Sequence, residues 1–366
     1  MKRNRLVDAG RRRPKSATKS AVVVGAAAIA LSLCGSAAAS ATSRSASGTR
    51  PKAAPVTLVV YSAQGYDHAE VAAFSKATGI TVKLDDNSTG PLLTQIEASK
   101  NNPNWGLLWV DGATAFAELD QQGLLLKGWE PTGSWNSLGE RNLPSDKSFV
   151  PTGVTLMAAV VYDSTKVSDP PTSWQQLLST TWKGEVGMND PSQSGPTFPF
   201  IAGMMNYLGS VAKGEKYFSE LKANGLIIHP TNGPTLQALT SGQIKLALVQ
   251  SSAGIGAKFT DKSLKIKYLN PVTDLPSCIG IDSKVSVAEQ NEAKRFVEFV
   301  LSKAGQHVMQ TGDPQGDSLY YPVLNGTKPL SVLPSLASVS TQTINPYLWG
   351  PKEPMINTWF DSNIVQ

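Results

Sequence analysis

The sequence repeats one local pattern: a short apolar strand, a turn of small polar residues and a helix. One copy has a strand at residues 185–188, a turn at 188–197 and a helix-like segment at 198–208. A second copy runs from a strand at residues 80–84 into a helix that begins near Pro91. Parallel strands of one sheet need crossover helices between them, so this alternation predicts an α/β fold with a mostly parallel sheet.

These strand–helix units fall into two blocks. A long apolar strand at residues 154–161 follows the first block, and a strand at residues 265–269 follows the second. Two such connections predict two α/β lobes joined by two strands. The predicted boundaries are residues 56–153 and 270–330 for lobe 1, 154–269 for lobe 2, and 331–366 for a C-terminal segment that packs across the lobes.

The charge of the whole chain is dominated by its first residues. The 366 residues include 33 Lys and Arg against 28 Asp and Glu, a formal net charge of +5. Eight of those bases and one of those acids precede Cys34, so the remainder holds 25 bases and 27 acids, a net charge of −2. Without a basic surplus the remainder has no global charge to hold nucleic acid, and no nucleic-acid partner is predicted.

The first residues are typical of an export signal. A basic segment is followed by an apolar run at residues 21–33 and then by small residues at 35–40. The apolar run is too short to span a bilayer comfortably, so it predicts a signal peptide over residues 1–39 and an exported protein, periplasmic or extracellular. Residues 40–55 are rich in Ala and Ser and are predicted to be a flexible linker.

Two processing sites stay open within that signal. The sequence around Cys34 resembles a bacterial lipoprotein box, in which Cys34 would carry a lipid anchor, although Leu33 departs from the small residue usual at its position. Cleavage after the small residues 37–39 would instead release a soluble protein. If Cys34 is removed or acylated, Cys278 is unpaired and no disulfide is predicted.

The turns that follow the predicted strands carry the candidate binding residues. Ligands of open α/β sheets bind at the carboxyl ends of the strands. Six such ends are polar, small or hydroxylic, and they would line one cleft if the two blocks face each other. The predicted ligand-binding residues are Ser62, Ala63, Gln64, Ser88, Thr89, Gly90, Asp111, Asp190, Ser192, Ser194, Gly195, Thr197, Asn232, Gln250 and Ser251.

The order of several motifs resembles a known family. Residues 59–64, 74–82, 190–192 and 321–323 are similar to segments of the extracellular solute-binding proteins of ABC importers, and the similarity extends over about residues 57–326. The more similar members bind ferric ion, thiamine or 2-aminoethylphosphonate. The resemblance implies a two-lobe periplasmic-binding-protein type II fold, in which each lobe is a mostly parallel sheet with flanking helices and two strands form a hinge.

The same resemblance implies a role in transport. A protein of this family captures a small solute by hinge closure and delivers it to the permease subunits in the membrane. It implies a monomer with no cofactor and no enzymatic activity. A ligand sensor that presents its closed lobes to a receptor would share the sequence pattern.

The residues that hold iron in ferric-binding members are mostly absent at the matching positions. Those members have a His after the first strand, an acid at the end of the third strand and paired tyrosines. Here the positions carry Gly65, Asp111, Ala253 and Gly254. Without phenolates a hard ferric ion has no ligand set of the family type, so no metal site is predicted. Ferric-ion or thiamine binding stays an alternative within the family.

The remaining polar groups favour a small anionic or zwitterionic solute, with a phosphonate or phosphate ester preferred. Hydroxyl groups and helix N termini offer hydrogen-bond donors without a formal positive charge. Asp111 and Asp190 could accept an ammonium group. Asp190 precedes Pro191 and Ser192, however, and is equally a turn residue that bonds its own backbone.

The chain lacks the sequence signatures of the common enzyme classes. Its three histidines do not have metal-ligand spacing, and no Gly-x-Ser-x-Gly motif occurs. A surface-anchored hydrolase that uses the cleft between the lobes stays the alternative from another class, since a triad assembled in space leaves no sequence signature. Trp109, two residues before Asp111, is a candidate for stacking on a sugar.

Overall fold

The computed structural model describes residues 56–366. The predicted signal peptide, the linker and the lipidation at Cys34 lie outside these residues and stay predictions. The described strands form one sheet. Their bounds are β1 (Leu58–Ser62), β2 (Val82–Asp86), β3 (Leu107–Asp111), β4 (Val150–Asp163), β5 (Val186–Asn189), β6 (Ile227–His229), β7 (Leu246–Val249), β8 (Leu264–Ile281) and β9 (Thr341–Gln342).

Helices pack around this sheet and connect its parallel strands. Short 3-10 and π-helical turns occur near residues 174–182, 336–338, 350–352 and 361–365. The α-helices are α1 (Asp67–Thr78), α2 (Thr89–Ser99), α3 (Ala113–Gln121), α4 (Ser137–Glu140), α5 (Thr197–Leu208), α6 (Val211–Ala223), α7 (Asn232–Thr240), α8 (Ser251–Thr260), α9 (Val287–Val300), α10 (Lys303–Thr311), α11 (Pro346–Trp349) and α12 (Glu353–Phe360).

The strand order divides the sheet into two parallel groups around an antiparallel centre. The order is β2-β1-β3-β8-β4-β7-β5-β6, and β9 pairs with β8. β1 is parallel to β2 and β3, and β5 is parallel to β6 and β7. We call the first group with its helices the first lobe and the second group the second lobe. The mixed α/β fold predicted from the sequence is therefore present.

Two long antiparallel strands connect the lobes. β8 pairs with β3 of the first lobe, and β4 pairs with β7 of the second lobe. The two strands also pair with each other from Val150 opposite Ile279 to Asp163 opposite Leu264. They form the two-strand hinge that the sequence analysis expected. The exact lobe boundaries proposed from the sequence stay predictions.

β8 is longer than the sequence indicated. The sequence analysis expected a strand only at residues 265–269. Pairing with β3 and β4 nevertheless keeps the chain extended to Ile281. Beyond β8 the chain forms two successive helices, α9 and α10. α10 begins after Ser302, whose Oγ accepts a hydrogen bond from the Gly305 N–H at 3.3 Å.

Trp109 belongs to the core of the first lobe. Its side chain is fully buried, and its ring packs edge-on against Tyr66 with a centroid distance of 5.2 Å. Its indole N–H donates to Thr152 Oγ1 at 3.2 Å and to Ser277 Oγ at 3.1 Å. The expectation that Trp109 stacks on a sugar is therefore wrong, because no face of the ring is available to a ligand.

The C-terminal segment contacts helices of both lobes. Gly350 lies so close to α3 that an added Cβ would be 2.6 Å from the Thr114 carbonyl oxygen. Phe360 of α12 is fully buried and packs edge-on against Phe218 of α6, with ring centroids 5.5 Å apart. An aromatic side chain buried this completely contributes several kcal/mol, so α12 is part of the folded core.

Replacing that ring tests the contribution of the segment. We expect Phe360→Ala to lower the free energy of unfolding by about 3–5 kcal/mol, measured by urea denaturation, because it leaves a cavity between α12 and α6. Met355→Ala in the same helix is the control. Met355 is 58% exposed, and its loss should cost no more than about 0.5 kcal/mol. Equal effects of the two changes would contradict the packing described here.

Candidate ligand-binding site

A cavity of about 570 Å³ lies where the carboxyl ends of the parallel strands meet. Each of the six polar strand ends singled out in the sequence contributes to its wall. Five helices, α1, α2, α5, α7 and α8, begin at or beside it. The predicted binding residues in the wall are Ala63, Gln64, Ser88, Thr89, Asp111, Ser194, Gly195, Asn232 and Gln250.

Two other predicted residues support the wall from behind. Ser62 is fully buried at the end of β1, and its Oγ accepts a hydrogen bond from the Gln64 N–H at 3.1 Å. The Ser251 Oγ bonds to Thr155 Oγ1 at 2.8 Å and accepts from the Leu156 N–H at 3.1 Å. Both hydroxyls fasten strand ends to the rest of the fold and do not reach the cavity.

The remaining four predicted residues also lie away from the cavity wall. The Asp190 Oδ1 accepts from the Ser192 N–H at 2.8 Å, which is the turn-forming role considered as its alternative. Thr197 is fully buried in the first turn of α5. Gly90 and Ser192 line a different pocket, between α2 and α12, where the two lobes touch.

Asp111 is a buried carboxyl group in the part of the cavity wall that we call the floor. Its Oδ1 accepts from Gln64 Nε2 at 3.0 Å, and its Oδ2 accepts from the Tyr320 hydroxyl at 2.7 Å. Burial, and to a smaller extent the nearby Asp317 carboxylate, raise the pKa of Asp111 to about 7 against the lowering effect of its hydrogen bonds.

Asp317 is a binding-site residue that the sequence analysis missed. It lies in the loop after α10, and its Oδ1 accepts from Ser252 Oγ at 2.6 Å and from Gln250 Nε2. Its Oδ2 accepts from Asn232 Nδ2 at 3.4 Å. Burial raises the pKa of Asp317 to about 6. A loop that follows a first-lobe helix is thus bonded to three side chains of the second lobe.

The cavity floor presents mainly hydrogen-bond acceptors. Besides the two carboxyl groups, the side-chain oxygens of Gln64 and Gln250 are buried and accept no hydrogen bond within the described structure. The same wall includes Asp67, Asp86 and Asp313, with His68 as the sole basic side chain among its described residues. The floor is therefore negative and suited to a group that donates several hydrogen bonds.

Another part of the wall has hydroxyl donors that the sequence predicted. Ser88 and Thr89 lie at the N terminus of α2, and Ser194 lies just before α5. The Ser194 Oγ accepts from Asn189 Nδ2 at 3.2 Å, which leaves its own hydrogen free to donate. Helix N termini attract negative charge, so the two parts of the wall favour opposite charges.

The phenol groups near the cavity are unsuited to hold a ferric ion. Tyr320 is fully buried, and its hydroxyl donates to Asp111 instead of facing the cavity. Burial and the neighbouring carboxylates raise the pKa of Tyr320 well above its ordinary value, which opposes formation of a phenolate. At the positions of the family's tyrosines, Ala253 lines the cavity and Gly254 packs against Val161.

Comparison with known proteins identifies the family. Residues 69–316 match the family model described as bacterial extracellular solute-binding protein. The chain belongs to this family. In the described residues, no helix has the length and apolar character needed to cross a bilayer.

The relatives of the protein are named for different solutes. A putative 2-aminoethylphosphonate-binding periplasmic protein of Salmonella paratyphi A is 24% identical over 272 residues, which is 70% of this chain and 77% of the relative. An Fe(3+)-binding periplasmic protein of Serratia marcescens is 26% identical over 294 residues, 73% of this chain and 80% of the relative.

A solved structure supports the type II fold. Iron-bound HitA from Pseudomonas aeruginosa superposes with a TM-score of 0.73 at 22% identity, and the match covers 83% of this chain and 99% of HitA. The fold class expected from the sequence resemblance is confirmed. At this identity the superposition shows that the fold is shared. The solute of this protein has to be inferred from the residues of its own cavity.

The lobes touch each other at two glycines. The Gly90 N–H donates to the Gln193 carbonyl oxygen at 3.4 Å, and a Cβ on Gly90 would be 1.9 Å from the Ser192 carbonyl oxygen. A Cβ on Gly195 would be 2.5 Å from Thr89 Oγ1. Side chains larger than hydrogen at these positions are incompatible with this closed arrangement.

Closure can therefore be tested at Gly90. We expect Gly90→Ala to fold with unchanged thermal stability but to show a larger radius of gyration by small-angle X-ray scattering, since the added methyl group keeps the lobes apart. Gly133→Ala is the control, because its Cβ would meet only the Leu324 side chain at an ordinary 3.4 Å. Identical scattering from the Gly90 variant and the parent protein would contradict the contact.

Proposed function

We propose that this protein is the solute-binding component of an ABC importer and that its solute is a small zwitterion. The ammonium group of the solute lies on Asp111 and Asp317, and its phosphonate or phosphate ester lies on the hydroxyl groups of Ser88, Thr89 and Ser194 and the N terminus of α2. The observation that carries the proposal is the buried carboxyl pair with a surplus of hydrogen-bond acceptors around it.

The acceptor surplus favours an ammonium group over a neutral or anionic one. An ammonium brings three N–H donors, and the floor offers the two carboxylates and the free oxygens of Gln64 and Gln250. An anion placed there would face two carboxylates without a Lys or Arg in the described wall. To bind there, the anion would have to lose its hydration water and lie beside groups of the same charge, which is costly in a buried site.

The anionic end of the solute needs donors, and the hydroxyl-rich part of the wall supplies them. Hydroxyl groups and the N terminus of α2 bind an anion without introducing a formal charge. This arrangement suits a phosphonate or phosphate ester at one end of a short amine. The Salmonella relative is named for 2-aminoethylphosphonate, which has these two groups, and this supports the proposal.

Binding would act through the hinge. Asn232 and Gln250 belong to the second lobe, whereas Asp111 belongs to the first, so a solute that contacts both is bound more tightly when the lobes are closed. Differential affinity of this kind shifts the equilibrium towards the closed form. The closed protein would then deliver its solute to the permease subunits in the membrane, acting as an exported monomer without enzymatic activity.

A panel of small ligands tests the proposed specificity. We expect 2-aminoethylphosphonate to raise the melting temperature, because a ligand at 100 times its Kd stabilises the folded protein by about 2.7 kcal/mol. Ethylphosphonate lacks the amine and ethylamine lacks the anion, so each should bind at least about tenfold more weakly by isothermal titration calorimetry. Stronger binding of ethylphosphonate than of the zwitterion, or turnover of a phosphate ester, would contradict the proposal.

Variants of the carboxyl pair provide the matched test. Asp111→Asn should weaken zwitterion binding by about 10- to 100-fold, since hydrogen bonds to charged groups contribute about 1.5–3 kcal/mol. Asp85→Asn, on β2 outside the cavity wall, should leave the affinity unchanged. Ser194→Ala should weaken the phosphonate contact and have less effect on ethylamine than on the zwitterion.

The raised carboxyl pKa values predict a pH dependence of binding. Asp111 and Asp317 are increasingly protonated as the pH falls through about 7 and 6, and an ammonium group prefers the ionised carboxylates. Affinity should therefore rise from pH 5 to pH 8. Among titratable neighbours, the Asp317 carboxylate raises the pKa of Asp111 and the hydrogen bond from Tyr320 lowers it, whereas Asp111 in turn raises the pKa of Tyr66 and of Cys278.

Calorimetry in buffers of different ionisation enthalpy should show proton release on binding near pH 6.5. Asp111→Asn should reduce both this release and the change in affinity with pH. An affinity that instead rises towards pH 5, equally in the parent protein and the variant, would indicate that the site binds the solute through its anionic group alone.

A further inference from the structure

We propose that Asp67, His68 and Asp86 form a binding site for one divalent zinc-like cation at the side of the cavity. One ligand atom from each of the three residues lies within 4.8 Å of the other two. His68 Nε2 is 3.2 Å from Asp86 Oδ2. Two ligand atoms of a tetrahedral zinc ion are separated by about 3.3 Å when each bond is about 2.0–2.1 Å long.

The topology brings these residues together from two separate segments. β1 and β2 are neighbouring parallel strands, and Ser62 at the end of β1 is paired with Asp86 at the end of β2. α1 begins with Asp67 and His68 shortly after β1. The first turn of α1 therefore lies beside the end of β2. His68 and Asp86 are 18 positions apart, which is no metal-binding spacing in the sequence.

The state of the Asp67 carboxyl group points to a missing cationic partner. Asp67 is only 1% exposed, and its Oδ2 has no hydrogen-bond partner within the described part of the chain. A buried carboxylate oxygen without a partner is costly. No Lys or Arg from residues 56–366 lines this cavity, so a bound cation would supply the partner that no side chain provides.

The donor set selects the class of cation. Two carboxylates and one neutral imidazole carry a charge of −2, which a divalent ion neutralises. An imidazole nitrogen with carboxylate oxygens suits zinc and similar transition metals, whereas calcium and magnesium prefer oxygen alone. Three protein ligands leave at least one coordination position for water or for a solute group.

The alternative is that His68 and Asp86 form an ion pair without a metal ion. Their side chains are 77% and 50% exposed, and an exposed pair of this kind contributes little to stability. That role also leaves the Asp67 oxygen unpartnered. A single bound metal ion would give all three side chains a partner.

A bound ion would place positive charge beside Asn87 and Ser88, which line the same cavity. The ion would bind the anionic end of the solute more strongly than a hydroxyl group does. This consequence rests on the proposed function. The metal site itself is tested without any solute, so its failure would leave the zwitterion proposal intact.

Titration of the chelator-treated protein with Zn²⁺ is the primary experiment. We expect one ion per chain, and His68→Gln and Asp86→Asn should each weaken its binding by about 100-fold or more. His307→Gln and Asp85→Asn are the matched controls and should bind Zn²⁺ as the parent protein does. His68 is exposed, so its replacement should leave the melting temperature of the metal-free protein unchanged.

Cobalt provides a second readout that reports the ligands directly. Co²⁺ bound by one imidazole and two carboxylates should give visible absorption bands that His68→Gln changes and His307→Gln does not. Absence of stoichiometric Zn²⁺ binding would overturn the proposal. So would binding that survives His68→Gln and is lost in Asp111→Asn or Asp317→Asn, since the ion would then lie on the cavity floor.

Discussion

The antiparallel pairing of β4 with β8 is the interaction on which the rest of the structure depends. These two strands are paired over most of their lengths, and each also pairs with the parallel strands of one lobe. Because both lobes are attached to the same pair, their strand ends face a common cavity. A hinge of two continuous strands permits the lobes to open and close while the hydrogen bonds within each lobe are kept.

The cavity brings together an acidic environment and an environment rich in hydrogen-bond donors. Burial and the nearby Asp317 carboxylate raise the pKa of Asp111, and burial together with Asp313 raises the pKa of Asp317. The amide and hydroxyl groups around them come from both lobes, so the carboxyl pair is fully surrounded only when the lobes are closed. The hydroxyl groups of Ser88, Thr89 and Ser194 and the N terminus of α2 contribute hydrogen-bond donors to the same cavity.

The sequence predicted which strand ends meet, because the βα alternation and the polar turns are local signals. It was less reliable for single residues. Ser62 and Ser251 are each next to a cavity residue in the chain, yet their side chains are directed into the fold, where they bond backbone and core groups. The hydroxyl groups of neighbouring residues are indistinguishable in sequence, and only their packing decides which reaches a ligand.

The sequence by itself determined the fold class, the two strands that connect the lobes and six of the segments that form the cavity wall, since periodicity and turn chemistry act over short stretches. The tertiary structure decided the charge of the site. Asp317 follows no strand, and Asp86 meets Asp67 and His68 only because β1 and β2 are neighbours in the sheet. Electrostatic interactions depend on distance in space, so the acidic floor and the proposed metal site arise from contacts between segments that are remote in sequence.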